Sequence, residues 1–92
     1  MTEIVRAHLY ISGHVQGVFF RANTRDAATD RNLAGWVKNL PDGRVEAVIE
    51  GESAGVNSLI DWAQRGSPAS TVTDVSVTYE SPKCLSGFEI RR

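Results

Sequence analysis

The chain has 92 residues and a formal net charge of −1, from ten basic and eleven acidic side chains. That length fits one domain, residues 1–92, and excludes an eight-stranded α/β barrel or a dinucleotide-binding domain with a partner domain. A hydrophobic fraction of 41% and a charged fraction of 23% exclude disorder and coiled coil, while one cysteine and two histidines leave little for thiol, zinc or cofactor chemistry.

Residues 4–12 are predicted as a strand, because Val5, Ala7, Leu9 and Ile11 alternate with Arg6, His8, Tyr10 and Ser12. Gly13-His14-Val15-Gln16-Gly17 follows with neither a helix nor a strand period, which marks a loop. From Phe20 to Ala34 there is no Gly or Pro, and a helix is expected there, stopped by Gly35. Its apolar stripe (Phe20, Thr24, Ala27, Ala28, Leu33) is thin, so it needs a sheet to pack on. Trp36 to Leu40 forms a short strand, and Pro41-Asp42-Gly43 a tight turn: Pro pre-sets φ and Gly supplies a positive φ. Val45, Ala47 and Ile49 alternate with Glu46, Val48 and Glu50 in the returning arm of a hairpin, which assigns Glu46 and Glu50 to its exposed face. Gly51-Glu52-Ser53 ends that arm, with Ser53 expected as a helix cap. Val56, Leu59, Ile60 and Ala63 then follow helical spacing up to Gly66-Ser67-Pro68. Thr73, Val75, Val77 and Tyr79 alternate through another strand, and Phe88 and Ile90 leave a short last one. The order β-α-β-β-α-β plus a final β predicts an α+β, ferredoxin-like split-βαβ sandwich: an antiparallel sheet with two helices on one face.

The near-neutral charge gives no strong basic field for nucleic acid or an anionic membrane. Met1 to Arg6 contain an acid and no apolar signal core, and no apolar run approaches the ~18 residues of a membrane helix, so a soluble, cytoplasmic location is expected. Cys84 has no disulfide partner and lies in a turn-like stretch between strands, where a free thiol is expected. His8 and His14 have no cluster of Cys or carboxylates around them to complete a metal site. Asp26 and Asp30 suit a solvated helix face, and Trp36 and Trp62 suit packing.

Chemistry concentrates in Gly13-His14-Val15-Gln16-Gly17-Val18-Phe19-Phe20-Arg21. A glycine-bearing loop running into a helix start leaves consecutive N–H groups without helical partners, and the helix dipole adds positive potential. Arg21 stands in the first helical turn, the wrong end of the dipole for a cation unless an anion lies between them. A plain surface arginine is the alternative. Neither the Walker nor the dinucleotide glycine spacing is met. Asn39 shares strand parity with Val37, so it faces the helices if Val37 does; a neutral amide there needs a hydrogen bond or water. The alternative is an amide that ties down the following turn. His14 can lend the loop optional positive charge.

Gly13-x-Val15-Gln16-Gly17-Val18-x-Phe20-Arg21, Gly35-Trp36-Val37-x-Asn39 and Asp42-Gly43-x-Val45-Glu46 together resemble the acylphosphatase family. The resemblance runs from Ile4 to Arg92 and is densest over residues 13–51. Gly66-Ser67-Pro68 and the terminal Arg92 depart from the usual family pattern, away from the proposed site. The resemblance implies metal-independent hydrolysis of an acyl phosphate to a carboxylate and inorganic phosphate. It also implies Arg21 as the phosphate-binding arginine, Asn39 as the residue orienting the attacking water, and Val15, Gln16, Gly17, Val18, Phe19 and Phe20 as the phosphate cradle. No metal or cofactor is expected. The partners it implies are a small acyl phosphate, with inorganic phosphate as product and competitive inhibitor; neither nucleic acid nor membrane is expected, and a monomer suffices.

The fold alone admits rivals. An RNA-binding module would expose aromatics on its central strands, where Val45 to Glu50 offers Glu46, Val48 and Glu50. A metal chaperone would need paired cysteines. A regulatory domain that binds an anion without catalysis is separated from an enzyme by hydrolysis of benzoyl phosphate at neutral pH.

Overall fold

A computed structural model describes residues 3–91; Met1, Thr2 and Arg92 lie outside the described residues. The elements run β1 (Ile4–His14), α1 (Phe20–Asp30), β2 (Ala34–Asn39), β3 (Val45–Glu52), α2 (Ser53–Arg65), β4 (Thr71–Glu80) and β5 (Phe88–Arg91). The sheet order is β4-β1-β3-β2-β5. Neighbours pair antiparallel except β5, which lies parallel to β2. The four strands of the split-βαβ arrangement pair antiparallel as expected, and the short final strand adds a parallel edge that makes the sheet mixed.

Strand parity builds the core. Ala7, Leu9 and Ile11 of β1, Val37 of β2 and Val45, Ala47 and Ile49 of β3 share the face that packs on the helices. α1 adds Phe20, Ala27 and Ala28, and α2 adds the stripe Val56, Leu59, Ile60 and Ala63. Burying each large aliphatic side chain of that stripe contributes about 1.5–3 kcal/mol, which compensates for the modest intrinsic propensity of a helix whose first turn carries Ser53, Gly55 and Val56. Trp62 packs beside Phe20, their ring centroids 5.6 Å apart.

Four expectations need correction. β1 continues past Ser12 to His14, with a register shift against β4 at Ser12/Gly13. Gly13 has φ 126°, and a Cβ there would lie 2.1 Å from the Thr71 carbonyl oxygen, so this glycine serves close strand pairing. α1 ends at Asp30, not Ala34. Its stop is Asn32 at φ 57°, with Asn32 N–H donating to Thr29 O and Leu33 N–H to Ala28 O, the two bonds of a left-handed helix terminus. Gly35 lies inside β2 at φ 142°, where a Cβ would meet Val48 O at 1.8 Å. Ser53 is the first residue of α2; the cap position belongs to Glu52, which makes no side-chain cap bond because β3 runs into the helix without a loop.

Glu46 and Glu50 are the fourth correction: they are buried, at 9% and 4% exposure. Both project from the sheet face opposite the helices. Glu46 there meets His8 Nε2 at 2.6 Å, the Tyr10 hydroxyl at 3.2 Å and Lys38 Nζ at 3.6 Å. Glu50 accepts the backbone N–H groups of Lys83 at 2.8 Å and Leu85 at 2.9 Å, with Arg6 Nη1 at 3.6 Å. The segment after β4 thus crosses this face on its way to β5, and Glu50 holds it. Among the described residues, no helix is long and apolar enough to cross a membrane.

Candidate active site

Three strands end at one edge of the sheet. β1 and β2 both pair antiparallel with β3, so they run in the same direction, and β5 runs parallel to β2. The loop after His14, the terminal Asn39 of β2 and the terminal Arg91 of β5 are therefore brought to the same side.

The loop is shaped by its apolar anchors. Val15 and Phe20 are each only 1% exposed, and Val18 packs against the core. Between them Gly17 adopts φ 75° and Phe19 φ 60°. A bulky residue in the left-handed region carries about 1–3 kcal/mol of strain. The Phe19 ring, 81% exposed, recovers little of that by burial. Among the described residues, the amides of Gln16, Gly17, Val18 and Phe19 donate to no backbone or side-chain acceptor. α1 then begins with no side-chain cap and no acid in its first turn, so its own first amides and its dipole are also uncompensated.

Arg21 is held from the far end of the chain: its Nη1 donates to the Arg91 carbonyl at 2.9 Å. A guanidinium has five N–H donors, so this bond orients the fork while leaving others for a ligand. Asn39 is half-buried on the helix-facing side, as its parity with Val37 predicts. Its Oδ1 is buried and has no hydrogen-bond partner among the described residues. A cavity of ≈ 290 Å³ opens between these groups. Arg21 and Asn39 supply its polar side chains, Gly17 its backbone, and Val15, Phe19, Phe20, Ala22 and Ile90 its apolar wall. Among the described residues, Arg21 is the only charged one in that lining, so the cavity suits an anion with an apolar substituent.

Of the residues expected at the site, Arg21, Asn39, Val15, Gly17, Phe19 and Phe20 line one cavity. The side chains of Gln16 and Val18 do not: Val18 turns to the core, and Gln16 bonds the carbonyls of Leu40 and Arg44. His14 is exposed and outside the lining, and Cys84 is exposed on the crossing segment. Ala22 and Ile90 were not anticipated. Ala22 follows Arg21 directly, but only the parallel docking of β5 reveals Ile90. Among the described residues, no group of three or more His, Cys, Asp or Glu is placed to hold a metal ion.

Most shifted titratable groups sit on the opposite sheet face. Burial pushes the Glu46 carboxyl up, but hydrogen bonds from His8 and Tyr10 outweigh it and hold it below the ordinary value. Burial likewise pushes the Glu50 carboxyl up, but hydrogen bonds from the Lys83 and Leu85 amides, with Arg6 beside it, outweigh that and hold it below its ordinary value. The Arg6 and His8 bonds depress Glu80. Aromatics do stand on this face, on β1 and β2: His8 stacks on Tyr10 at 5.0 Å, and the Arg91 guanidinium lies 4.6 Å over Trp36. They are engaged within the chain by these contacts and by the carboxylates.

The sequence model of the Acylphosphatase family matches residues 7–90. An acylphosphatase of Haloquadratum walsbyi is 60% identical over 87 residues, which span 95% of this chain and 94% of the relative. One from Natronomonas pharaonis is 53% identical over 92 residues, 100% of both chains. The crystal structure of acylphosphatase from Bacillus subtilis superposes with a TM-score of 0.93 at 42% identity, over 96% of this chain and 99% of that one. With a loop of unpaired amides, an arginine and a buried amide around one cavity, and with relatives matching it end to end, this chain belongs to the acylphosphatase family.

Proposed function

We propose that the cavity between α1, β2 and β5 binds the phosphate of a small acyl phosphate and hydrolyses its carboxyl–phosphate bond, giving a carboxylate and inorganic phosphate. The observation that carries this reading is the convergence of Arg21 and Asn39 on one cavity beside a loop of unpaired amides. Arg21 and the amides of Val15 to Phe20 meet the three peripheral phosphoryl oxygens, where charge develops during transfer. Asn39 accepts a hydrogen from the attacking water through Oδ1 and holds it in line with the bond that breaks. An amide oxygen is too weak a base to take the proton, which passes to a phosphate oxygen of the substrate or to solvent.

An acyl phosphate is already activated, because its leaving group is a carboxylate of low pKa. It needs no acid to protonate the leaving oxygen and no metal to weaken the bond, so positioning and charge stabilisation suffice. Inorganic phosphate, the product, competes for the same amides and arginine. The apolar wall touches only the acyl substituent, which supports tolerance of several acyl groups. We further infer that residues 1–92 work as one domain, as a cytoplasmic monomer without nucleic-acid or membrane partners. The mutual pairing of charges on the open sheet face and the net charge of −1 support that reading.

The test is hydrolysis of benzoyl phosphate at neutral pH, followed alongside inhibition by inorganic phosphate. Turnover that phosphate inhibits competitively is expected. Phosphate binding without turnover would instead favour a regulatory anion-binding domain.

A further inference from the structure

The phosphate cradle uses Gln16 only through its backbone amide, yet the Gln16 side chain makes two well-formed bonds of its own. Nε2 donates to the Leu40 carbonyl at 2.7 Å and to the Arg44 carbonyl at 2.9 Å. These carbonyls are the neck of the β2–β3 hairpin. Leu40 N–H donates to Arg44 O at 2.8 Å, and Gly43 N–H to Leu40 O at 3.2 Å. Leu40 is bonded directly to Asn39, the last residue of β2. Among the described residues, the two Gln16 bonds are the only hydrogen bonds that join the loop 15–19 to the hairpin. One carboxamide therefore spans the gap between the element that holds phosphate and the element that carries Asn39. Both of its hydrogens are used, and neither carbonyl depends on them, since each already has a backbone donor.

We infer that Gln16 is a positioning residue: its side chain sets the distance between the phosphate loop and Asn39, and so the line of attack of the water. This rests on the roles proposed above for the loop and Asn39. The loop keeps its own shape through Val15, Val18 and Phe20, so phosphate binding does not need the tie. In-line attack does, because an error near 1 Å in such a geometry costs on the order of 10²-fold in rate. A role in overall folding would weaken binding and turnover together; a positioning role separates them.

The test uses the full chain with benzoyl phosphate as substrate and inorganic phosphate as inhibitor. Gln16→Met keeps the length and removes both donors. Its kcat should fall about 10- to 100-fold while the phosphate inhibition constant stays unchanged. In an Asn39→Ala background the same change should cost nothing further, because no oriented water remains to misplace. Phosphate inhibition weakened in step with kcat, or losses that multiply in the double variant, would overturn the inference. So would wild-type kcat in Gln16→Met while Asn39→Ala is inactive, and that pattern would leave the proposed hydrolysis standing. Full turnover in Asn39→Ala alone would remove the water-orienting reading, and the role of Gln16 with it. If Gln16→Met does not fold, Gln16→Glu decides. An ionised carboxylate repels the two carbonyls, whereas its protonated form donates to one of them. A kcat that rises relative to wild type on acidification supports the tie, and a flat ratio overturns it.

Discussion

Replacing Asn39 with Ala should cost activity without costing the fold. Asn39 Oδ1 is buried and has no hydrogen-bond partner among the described residues. Truncation therefore breaks no intramolecular bond at that oxygen, and it removes a polar atom whose burial is itself unfavourable by about 1–3 kcal/mol when unpaired. The loss of side-chain packing at a strand end opposes that gain. Net stability should then change by less than about 1 kcal/mol, or under roughly 8 °C in Tm for a domain of this size. Catalysis responds differently. Removing one preorganised group that acts on the transition state costs about 10²–10³ in rate, roughly 2.7–4 kcal/mol. The expected result is a kcat on benzoyl phosphate reduced by that factor, an unchanged inhibition constant for inorganic phosphate and a near-wild-type urea midpoint. A Tm lowered well beyond that limit would show that Asn39 is a structural amide tying down the hairpin turn. A phosphate inhibition constant that rises in step with the lost kcat would place Asn39 on the phosphate, contrary to the role assigned.

Arg21→Ala should abolish both turnover and phosphate inhibition, because among the described residues Arg21 is the only cation in the cavity lining; retained inhibition would sink the cradle. Turnover should be unaffected by excess EDTA, and a loss restored by one divalent cation would contradict the metal-free mechanism. Glu50→Gln should cost about 2–4 kcal/mol in urea unfolding, since a carboxylate with two amide donors and Arg6 beside it becomes a neutral group with a donor facing donors. The pH sign follows from the depressed Glu50 pKa: the unfolded chain takes up this proton first, so its contribution is present above the ordinary value of 4.5 and fades as pH falls through the lower folded value. The stability gap between wild type and Glu50→Gln should therefore shrink from pH 7 towards pH 3, and a constant gap would refute it.

How much of this was legible beforehand depends on how far apart in sequence the deciding contacts lie. Alternation in Val5 to Ile11 and Val45 to Ile49 needs only neighbours, and it marks the strand faces that meet the helices; for Asn39 the local signal is its shared parity with Val37, which faces them. Helix spacing in Val56 to Ala63 is equally local. The end of α1 was misread because Gly35 is the stronger local stop signal, whereas the chain turns at Asn32 and keeps Gly35 for close approach to Val48 O. Glu46 and Glu50 were misread because parity identifies a face but not what covers it. Glu46 is covered by His8 and Tyr10, 38 and 36 residues away, and Glu50 by Lys83 and Leu85, 33 and 35 residues away.

The site shows the same division. The loop amides, Arg21 and Asn39 are visible as chemistry in short motifs, because glycine spacing and a helix start are local matters. Their convergence is topological: the ends of β1 and β2 meet only because β3 lies between them and runs the other way. The anchor on Arg21 is less visible still. Arg91 O reaches it across 70 residues, from a strand of four residues that pairs parallel with β2. Four residues hold too little alternation to predict a partner or a direction. Yet that strand supplies both the oxygen that orients the guanidinium and the Ile90 side chain on the cavity wall. The crossing segment that delivers β5 is pinned by Glu50 on the opposite face of the sheet. The buried Glu50 carboxylate, on the sheet face opposite the cavity, thus helps determine where the carbonyl partner of Arg21 sits, which is why a residue that looks like solvent-facing decoration in the sequence belongs to the framework of the site.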